Sequence, residues 1–411
     1  MIAIRAGTLV DGNGNAPIQD AVILIDGERI KQVGPAAQVQ IPPDAEVIDA
    51  SGKTVLPGLI DVHVHVHSLG GSDGNFFVWE ASGSQAQLAL RAVAYVQRDL
   101  KMGYTTLCNL ASPTYVDVAL RDAIDQGLVV GPRLRAAGQG LTITGGHMDQ
   151  AFFMPEVKIP GRTGICDGPW EGRRAVRTQC KFGADTIKIN ACSSGVGTYT
   201  VAPPWMFEMT FEEISAICDE AHRLGRRVAA HTSGGQGITD SILGGVDSLE
   251  HAHWLTDEQL DLMAEHGTFY VPTLIVNSRA VAGGKDQPGL SPTSWEWLMK
   301  ADEGKWDSLA RAKKAGVKIA TGSDAGFLIY HGEGACEIEE LVKGGFTPLE
   351  AIGAATKMAA ECLRMEKQVG TLDAGKFADV VIVDGDPLQN IKILQDQKKI
   401  VGVYKGGQLV A

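Results

Sequence analysis

Short apolar runs alternate with longer segments of helical period through the middle of the chain. Eight such runs lie between residues 58 and 365, at 59–66, 104–110, 134–137, 184–190, 227–232, 246–251, 268–273 and 317–321. Segments between them, such as 211–224, 257–265 and 306–315, have a helical period, and glycine often follows them as it follows a helix C-cap. Repeated strand–helix alternation implies parallel strands, and a closed (β/α)8 TIM barrel is the simplest α/β fold that satisfies it.

The two ends of the chain have a different sequence pattern, in which Gly, Pro and Asn separate short predicted strands. The predicted strands lie at 1–4, 21–25, 29–33 and 46–49 before the barrel, and at 378–383 and 400–404 after it. Neither end is long enough to bury a sheet face alone, so we expect the two ends to pair into one small β-sandwich. The predicted domains are therefore 1–57 plus 366–411 for the β-sandwich and 58–365 for the catalytic barrel.

The first strand of the predicted barrel carries two histidines. His63 and His65 are two positions apart, so their side chains project from the same face of the strand. In a barrel that face is the interior, and active sites form at the carboxyl ends of the strands. A pair of hydrogen-bonded core histidines is the alternative explanation. An open doubly wound sheet is the alternative fold, but it normally has a Gly-rich loop where these histidines stand.

Other strand ends carry further residues of the kind that bind metals: Lys188 in the fourth run, His231 in the fifth, His251 in the sixth and Asp324 after the eighth. An unpaired ammonium at Lys188 is strongly disfavoured in a central strand. With its pKa lowered, the amine reacts with carbon dioxide to give an anionic carbamate, whose two oxygens can bridge two cations. Four imidazoles, a carbamate and a carboxylate form a mixed donor set that suits two Zn²⁺ or similar divalent ions.

These residues, together with the segment PGLIDVHVH at 57–65, resemble the amidohydrolase superfamily with a binuclear metal centre. The segment GTLDAGKFADVVIVDGDPL at 370–388 is similar to the C-terminal strand segment of that superfamily. The segment TGGH at 144–147 and the context of the lysine resemble the imidazolonepropionase-related branch. That branch contains Xaa-Pro dipeptidases (prolidases), Xaa-Arg and Xaa-Lys carboxypeptidases and some xenobiotic amidases. The resemblance covers essentially the whole chain, and it is weakly specific for substrate.

The resemblance implies a role for each matching position. It assigns one metal to His63, His65 and Asp324, the other to His231 and His251, and the bridge to carboxylated Lys188. Two cations that share a hydroxide lower its pKa, and one of them polarises the scissile carbonyl. Asp324 would take the proton of the attacking hydroxide and pass it to the leaving nitrogen. His147 would stabilise the oxyanion, and a loop-packing histidine is the alternative.

The chain departs from the dipeptidase pattern after the fifth strand. Dipeptidase-like members follow the metal-binding histidine with Ala-Tyr, and that tyrosine binds the substrate carboxylate, whereas this chain has Thr232 and Ser233. A serine hydroxyl has a shorter reach, so carboxylate recognition needs another group as well. Arg279 is a candidate because a guanidinium binds a carboxylate bidentately, and a solvated loop arginine is the alternative.

Further substrate contacts are expected from loops at the same rim. Tyr199 after strand four is a candidate for the lining of a hydrophobic pocket, and His331 after strand eight for a contact to the substrate. The roles of His67 and His253 stay open. For His67 the alternatives are a contact to a metal ligand or to the substrate, and for His253 a substrate contact or a solvated loop position.

Composition narrows the partners and the compartment. The chain has 49 Asp and Glu against 37 Lys and Arg, and the net charge of −12 disfavours nucleic acid and anionic lipid as partners. Seven scattered cysteines without a C-x-x-C pair indicate reduced thiols and argue against both a disulfide framework and a Cys-type zinc site. The N-terminus lacks the plan of a signal peptide, and no apolar run has the ~18 residues of a membrane helix. We therefore expect a cytoplasmic protein.

Together these features predict a binuclear metallohydrolase that cleaves the C–N bond of a dipeptide, of the Xaa-Pro kind, or of an N-acyl amino acid. The first alternative keeps the chemistry and changes the substrate to a cyclic amide, an arylamide or a urea. A remote alternative is a non-catalytic scaffold. Scaffold proteins related to such hydrolases lack the metal ligands, whereas this chain retains them. A homo-oligomer is compatible with the sequence, which contains no readable self-complementary surface.

Overall fold

The computed structural model describes residues 1–70, 83–149, 163–193, 206–286 and 291–411. The strands are β1 (Ile2–Leu9), β2 (Ile18–Asp26), β3 (Arg29–Pro35), β4 (Glu46–Pro57), β5 (Leu59–Val64), β6 (Tyr104–Asn109), β7 (Arg133–Ala136), β8 (Leu141–Thr142), β9 (Gly164–Ile165), β10 (Thr186–Asn190), β11 (Arg227–Gly234), β12 (Ser248–Trp254), β13 (Phe269–Val271), β14 (Val380–Val383), β15 (Ile400–Lys405) and β16 (Gln408–Leu409). The α-helices are Gln85–Lys101, Val116–Asp125, Pro169–Lys181, Phe211–Arg223, Gln236–Gly244, Asp257–His266, Leu274–Gly283, Pro292–Lys314, Ala335–Lys343, Pro348–Gly353 and Ala359–Cys362. Other helical turns are Ala36–Gln38, Pro113–Tyr115, Ala354–Met358, Ile391–Gln395 and Gln397–Lys399.

Several helices begin where the sequence supplies capping groups. Four of them start with a reciprocal pair in which a Ser or Thr caps the helix and a Gln or Glu three residues later returns the hydrogen bond: Ser84/Gln87, Thr210/Glu213, Thr256/Gln259 and Thr347/Glu350. Helix Pro292–Lys314 starts well before the predicted segment 306–315, because Ser291 caps it and a proline fits its first turn. The caps therefore explain why the observed helix is longer than the predicted one.

The middle of the chain forms a TIM-barrel-like α/β fold. Seven of the eight predicted runs contain a strand, namely β5, β6, β7, β10, β11, β12 and β13. They belong to two parallel sheets, in the orders β5-β6-β7 and β13-β12-β11-β10-β8-β9. The eighth run lies between these sheets, because Tyr270 N donates to Lys318 O at 2.8 Å and Val62 N donates to Thr321 O at 3.0 Å.

Both chain ends contribute to one seven-stranded sheet, in the order β16-β15-β14-β4-β1-β2-β3. The long strand β4 pairs with β1 between residues 46 and 55 and with β14 between residues 54 and 57. It therefore connects the amino-terminal strands to the carboxyl-terminal ones. The two ends do pair, but hydrogen bonds join their strands into a single sheet, whereas the predicted β-sandwich has two sheets. Alternation along β1 and β2 buries both faces, with Ile4 and Ile23 in one cluster and Ala3 and Val22 in another.

The strands of the two parallel sheets are packed mainly by apolar residues. One large cluster joins them to the surrounding helices, and a second joins residues of β5, β6, β11 and β13 to helix Ala359–Cys362. Against this background the polar groups buried at the carboxyl ends of the strands are exceptions, and they form the candidate site. Within the described ranges, no helix combines the length and the apolar character that a membrane span requires.

Candidate metal centre

Three side chains converge on one point, although Asp324 lies far from His63 and His65 in the sequence. Asp324 Oδ1 lies 3.0 Å from His65 Nε2 and 3.5 Å from His63 Nε2. The ligand-type atoms of the three residues all lie within 4.8 Å of one another. Two imidazole nitrogens that approach a single carboxylate oxygen form a donor set of the kind that binds Zn²⁺.

His231, His251 and Lys188 lie beside this group. The ring centroid of His251 is 4.6 Å from that of His231 and 5.2 Å from that of His63. The strands β10, β11 and β12 are hydrogen-bonded neighbours in one parallel sheet, so their carboxyl ends lie at the same edge of that sheet. Lys188 Nζ and His231 Nε2 are buried and have no hydrogen-bond partner among the described residues. Buried polar atoms of this kind are costly unless a ligand satisfies them, so the residues fit a bound cation.

Burial favours the uncharged forms of these groups. It is the largest cause that lowers the pKa of Lys188 below its ordinary value. It also lowers the pKa of His63, and it holds the pKa values of His231 and His251 well below the usual range. A neutral imidazole presents the lone pair that a metal needs, and a neutral amine is the form that reacts with carbon dioxide.

Side chains behind the histidines fix their orientation. Glu250 Oε2 lies 2.9 Å from His63 Nδ1, and Thr273 Oγ1 lies 2.6 Å from His251 Nδ1. A carboxylate only accepts hydrogen bonds, so Nδ1 of His63 carries the proton and Nε2 presents its lone pair to the cluster. Ser248 Oγ donates to the other oxygen of Glu250 at 2.5 Å. Hydrogen bonds of this kind hold metal-binding histidines in one tautomer and one orientation.

Asp61 connects β5 to the segment that carries Asp324. Its Oδ2 accepts a hydrogen bond from Ser323 Oγ at 2.5 Å. Its Oδ1 accepts hydrogen bonds from the backbone N–H groups of His63 and Ser323, both at 3.1 Å. Burial raises the pKa of Asp61 to about 7 in spite of these donors. The carboxyl group therefore fixes His63 and Asp324 relative to each other.

Two of the predicted ligands have left-handed backbone conformations. The φ angle is +70° at His251 and +56° at Asp324, in a region that residues other than glycine rarely adopt. At His251 this conformation interrupts the alternation of β12, so the side chains of Glu250 and His251 both reach His63. Such conformations persist only where the surrounding structure holds them, and they cluster at functional sites.

One pocket opens over the cluster and is lined by all six predicted metal ligands, His63, His65, Lys188, His231, His251 and Asp324. His147 also lines it. The His147 ring stacks on His231 with 4.4 Å between centroids, and its backbone N–H donates to Glu208 Oε2 at 2.8 Å. Burial is the largest cause that lowers the pKa of His147, to about 4, so its ring is neutral near pH 7 and has one N–H to donate.

The pocket contains some of the predicted substrate contacts. Ser233 lines it, and its hydroxyl donates to Ser193 O at 3.1 Å, so its one proton is already used within the protein. His67 and His253 also line the pocket. Tyr199 lies outside the described residues.

The structure does not bring Arg279 and His331 to the pocket, which corrects both predictions. Arg279 belongs to a helix rather than to a loop, and it forms an ion pair with Glu333 at 3.0 Å. His331 Nδ1 lies 2.6 Å from Asp99 Oδ2, and its Nε2 lies 3.2 Å from the backbone oxygen of His65. Arg279 is therefore paired with a residue outside the pocket lining, and His331 contacts the backbone of the predicted ligand His65.

Sequence reasoning missed Asp61, Glu250 and Thr273 as residues that orient the ligands. A signal for Asp61 was present, because it precedes His63 by two positions in an otherwise apolar strand. A signal for Glu250 was present as well, because an acidic residue inside a buried strand needs a partner. Thr273 had no signal, since a threonine at the end of a strand is ordinary.

The chain belongs to the amidohydrolase family, whose model matches residues 54–410. The matched segment includes every predicted metal ligand and the three residues that orient them. Membership of this family and the named relatives make the protein a hydrolytic enzyme. The histidine and aspartate cluster is the place where the metal dependence of the family would reside.

The chain is similar in sequence and structure to several named hydrolases. The chain is 34% identical to an ochratoxinase of Aspergillus niger over 429 aligned positions, which cover 99% of this chain and 86% of the relative. A solved Xaa-Pro dipeptidase with methionine bound in its active site is 31% identical, with a TM-score of 0.91 and 99% of each chain covered. A solved prolidase complexed with N-methylphosphonate-L-proline is 31% identical, with a TM-score of 0.89, and covers 99% of this chain and 98% of its own.

Replacing Glu250 by Gln should weaken divalent-metal binding by about 10- to 100-fold, because a neutral amide makes the imidazole of His63 less basic. Competition between the protein and a chelator for Zn²⁺ measures the change. Glu265→Gln on an exposed helix position is the matched control and should leave the affinity unchanged. Equal affinities for the wild type and Glu250→Gln would contradict a role of Glu250 in orienting a ligand.

Proposed function

We propose that the protein hydrolyses the amide bond of a small substrate with a free carboxylate, a dipeptide of the Xaa-Pro kind or an N-acyl amino acid, at a binuclear metal centre. The observation that carries the proposal is the convergence of two imidazole nitrogens on Asp324 Oδ1 beside a buried lysine without a hydrogen-bond partner among the described residues. A scaffold protein has no use for such a costly arrangement. A hydrolase that must bind cations uses each of these groups.

The residues fit two divalent ions, which we propose to be Zn²⁺. His63, His65 and Asp324 would hold one ion, and His231 and His251 the other. Lys188, as a carbamate, would contact both. The mixed nitrogen and oxygen donors support zinc, and the lowered pKa of Lys188 supports reaction with carbon dioxide.

Bound metal ions would lower the pKa of water and polarise the scissile carbonyl. Asp324 stands where it would accept a proton from the attacking water, and it would pass this proton to the leaving nitrogen, since an amine leaves poorly unless it is protonated. The neutral imidazole of His147 would donate its N–H to the carbonyl oxygen as negative charge develops there. A single donor of this kind lowers a barrier by about 3 kcal/mol.

The relatives support a substrate with a carboxylate, but they leave a second class in contention. Methionine and N-methylphosphonate-L-proline, the ligands of the two solved relatives, both carry an amino-acid carboxylate. The name ochratoxinase indicates action on a toxin, and it distinguishes neither a carboxylate-bearing substrate nor the arylamide, cyclic amide and urea alternative. Lys188 is the only lysine or arginine in the described pocket lining, so neutral donors and the metals would bind a carboxylate.

We also propose that residues 58–365 close into one (β/α)8 barrel and that 1–57 with 366–411 form a separate unit. Hydrogen bonds on both sides of the two parallel sheets support closure. Residues 318–321 bond to β13 and β5 on one side, and Asp185 N donates to Ala136 O at 2.7 Å on the other. A cytoplasmic location stays a prediction.

Lys188→Ala should lower the metal content from two ions to one or none per chain, because the bridge is lost. Apo-protein is reconstituted with Zn²⁺ with and without bicarbonate, and elemental analysis follows. Wild-type uptake should require bicarbonate, and ¹³C-bicarbonate should give a carbamate NMR signal that the variant lacks. Lys367→Ala, at an exposed position, is the matched control. Full metal uptake by Lys188→Ala would contradict the bridging role.

Dipeptides and N-acetyl amino acids should be hydrolysed at least about tenfold more efficiently than their C-terminal amides and than anilides, because a bound carboxylate orients the scissile bond. Liberated amine is measured for each matched pair, and Asp324→Asn serves as the control for contaminating peptidases. Hydrolysis confined to substrates without a free carboxylate would reject the dipeptidase proposal and favour the arylamide and urea class.

A further inference from the structure

The indole of Trp254 lies in a slot between two glycines, immediately beside the candidate metal centre. Trp254 ends β12, three positions after His251, and lines the pocket. A Cβ at Gly304 would lie 2.6 Å from Cδ1 and Nε1 of the indole, and a Cβ at Gly234 would lie 3.1 Å from its Cε3. These distances leave no room for a side chain at Gly304 and little at Gly234, so the two glycines create the space that the ring fills.

The backbone on both sides of Trp254 is fixed as well. Ser308 Oγ accepts the N–H of Leu255 at 3.0 Å and donates to the backbone oxygen of His253 at 2.8 Å. One hydroxyl thus holds the residues before and after the tryptophan against helix Pro292–Lys314. The His253 ring meets the indole edge-on, with 5.8 Å between centroids. The indole is therefore a rigid part of the pocket wall.

Apolar side chains from two helices continue this wall. Trp297, Leu298 and Ala301 come from helix Pro292–Lys314, and Val276 and Ala280 come from helix Leu274–Gly283. Among the described residues, this part of the lining carries no charged group. A substrate held by the metal ligands would thus meet a large apolar surface on one side. Burial of a matching side chain there is favourable in proportion to the apolar area removed from water.

We propose that Trp254 is the specificity-determining residue of this pocket and that the preferred substrates carry a large apolar side chain, aromatic or branched aliphatic, next to the scissile amide. This inference rests on the proposed amide hydrolysis and names its substrate class. A pocket wall made of a fixed indole selects by shape and apolar area. Small or charged side chains gain nothing from it.

The test compares three dipeptides, Phe-Ala, Ala-Phe and Ala-Ala, with the metal-loaded enzyme. One of the first two should exceed Ala-Ala in kcat/KM by about 10- to 100-fold, the range that apolar pockets achieve. In Trp254→Ala this preference should fall to threefold or less, because kcat/KM for the preferred Phe-containing dipeptide falls more than kcat/KM for Ala-Ala. Trp254→Leu keeps part of the apolar surface and should retain an intermediate preference. Trp170→Ala, at a position 81% exposed, is the matched control and should behave as the wild type.

Two results overturn the inference: a wild type without preference, or an equal loss for all three dipeptides in Trp254→Ala with an unchanged melting temperature. Binding of L-phenylalanine and glycine, measured by calorimetry, separates this inference from the proposed function. The wild type should bind phenylalanine at least about tenfold more tightly than glycine, and Trp254→Ala should not. If no amide is hydrolysed but this binding preference is present, the proposed function fails and the apolar pocket stands. If the binding preference is absent, the pocket inference fails.

Discussion

The site depends on one constraint: imidazoles, an amine and a carboxylate are buried together at the end of an apolar core. Desolvation of such groups is costly, and it lowers the pKa values of Lys188, His231 and His251. Neutral nitrogens such as Lys188 Nζ and His231 Nε2, which have no hydrogen-bond partner among the described residues, gain little from one another. They gain a great deal from a shared cation, because each lone pair then has a ligand bond. The strands, the helices and the orienting side chains together hold these groups close to one another.

The orienting side chains show how the fold maintains this arrangement. Glu250 fixes the tautomer of His63, Thr273 contacts Nδ1 of His251, and Asp61 ties β5 to the segment of Asp324. Positive φ angles at His251 and Asp324 place the backbone where the side chains reach the cluster. These contacts cost conformational freedom, and they are useful only if the positions of the ligands matter to within fractions of an ångström.

Strand alternation and strand ends were enough to predict that these side chains line one pocket, because parallel strands place their carboxyl ends together whatever the loops do. His63 and His65 follow from a spacing of two, and His231 and His251 from their places at strand ends. Arg279 was beyond such reasoning, because a pattern does not say that a segment continues as a helix and pairs with Glu333. The slot of Trp254 was also out of reach, because Gly304 is distant in sequence and meets the indole only after packing.

The central claim is that the six ligands bind two metal ions, and anomalous diffraction from crystals of zinc-reconstituted protein tests it most directly. Data collected on both sides of the zinc absorption edge locate each ion without reference to activity. The account predicts two anomalous peaks in the pocket, one in contact with His63, His65 and Asp324 and the other with His231 and His251, with continuous density from Lys188 Nζ to both. A pocket without an anomalous peak, or a peak that touches none of these residues, would contradict it.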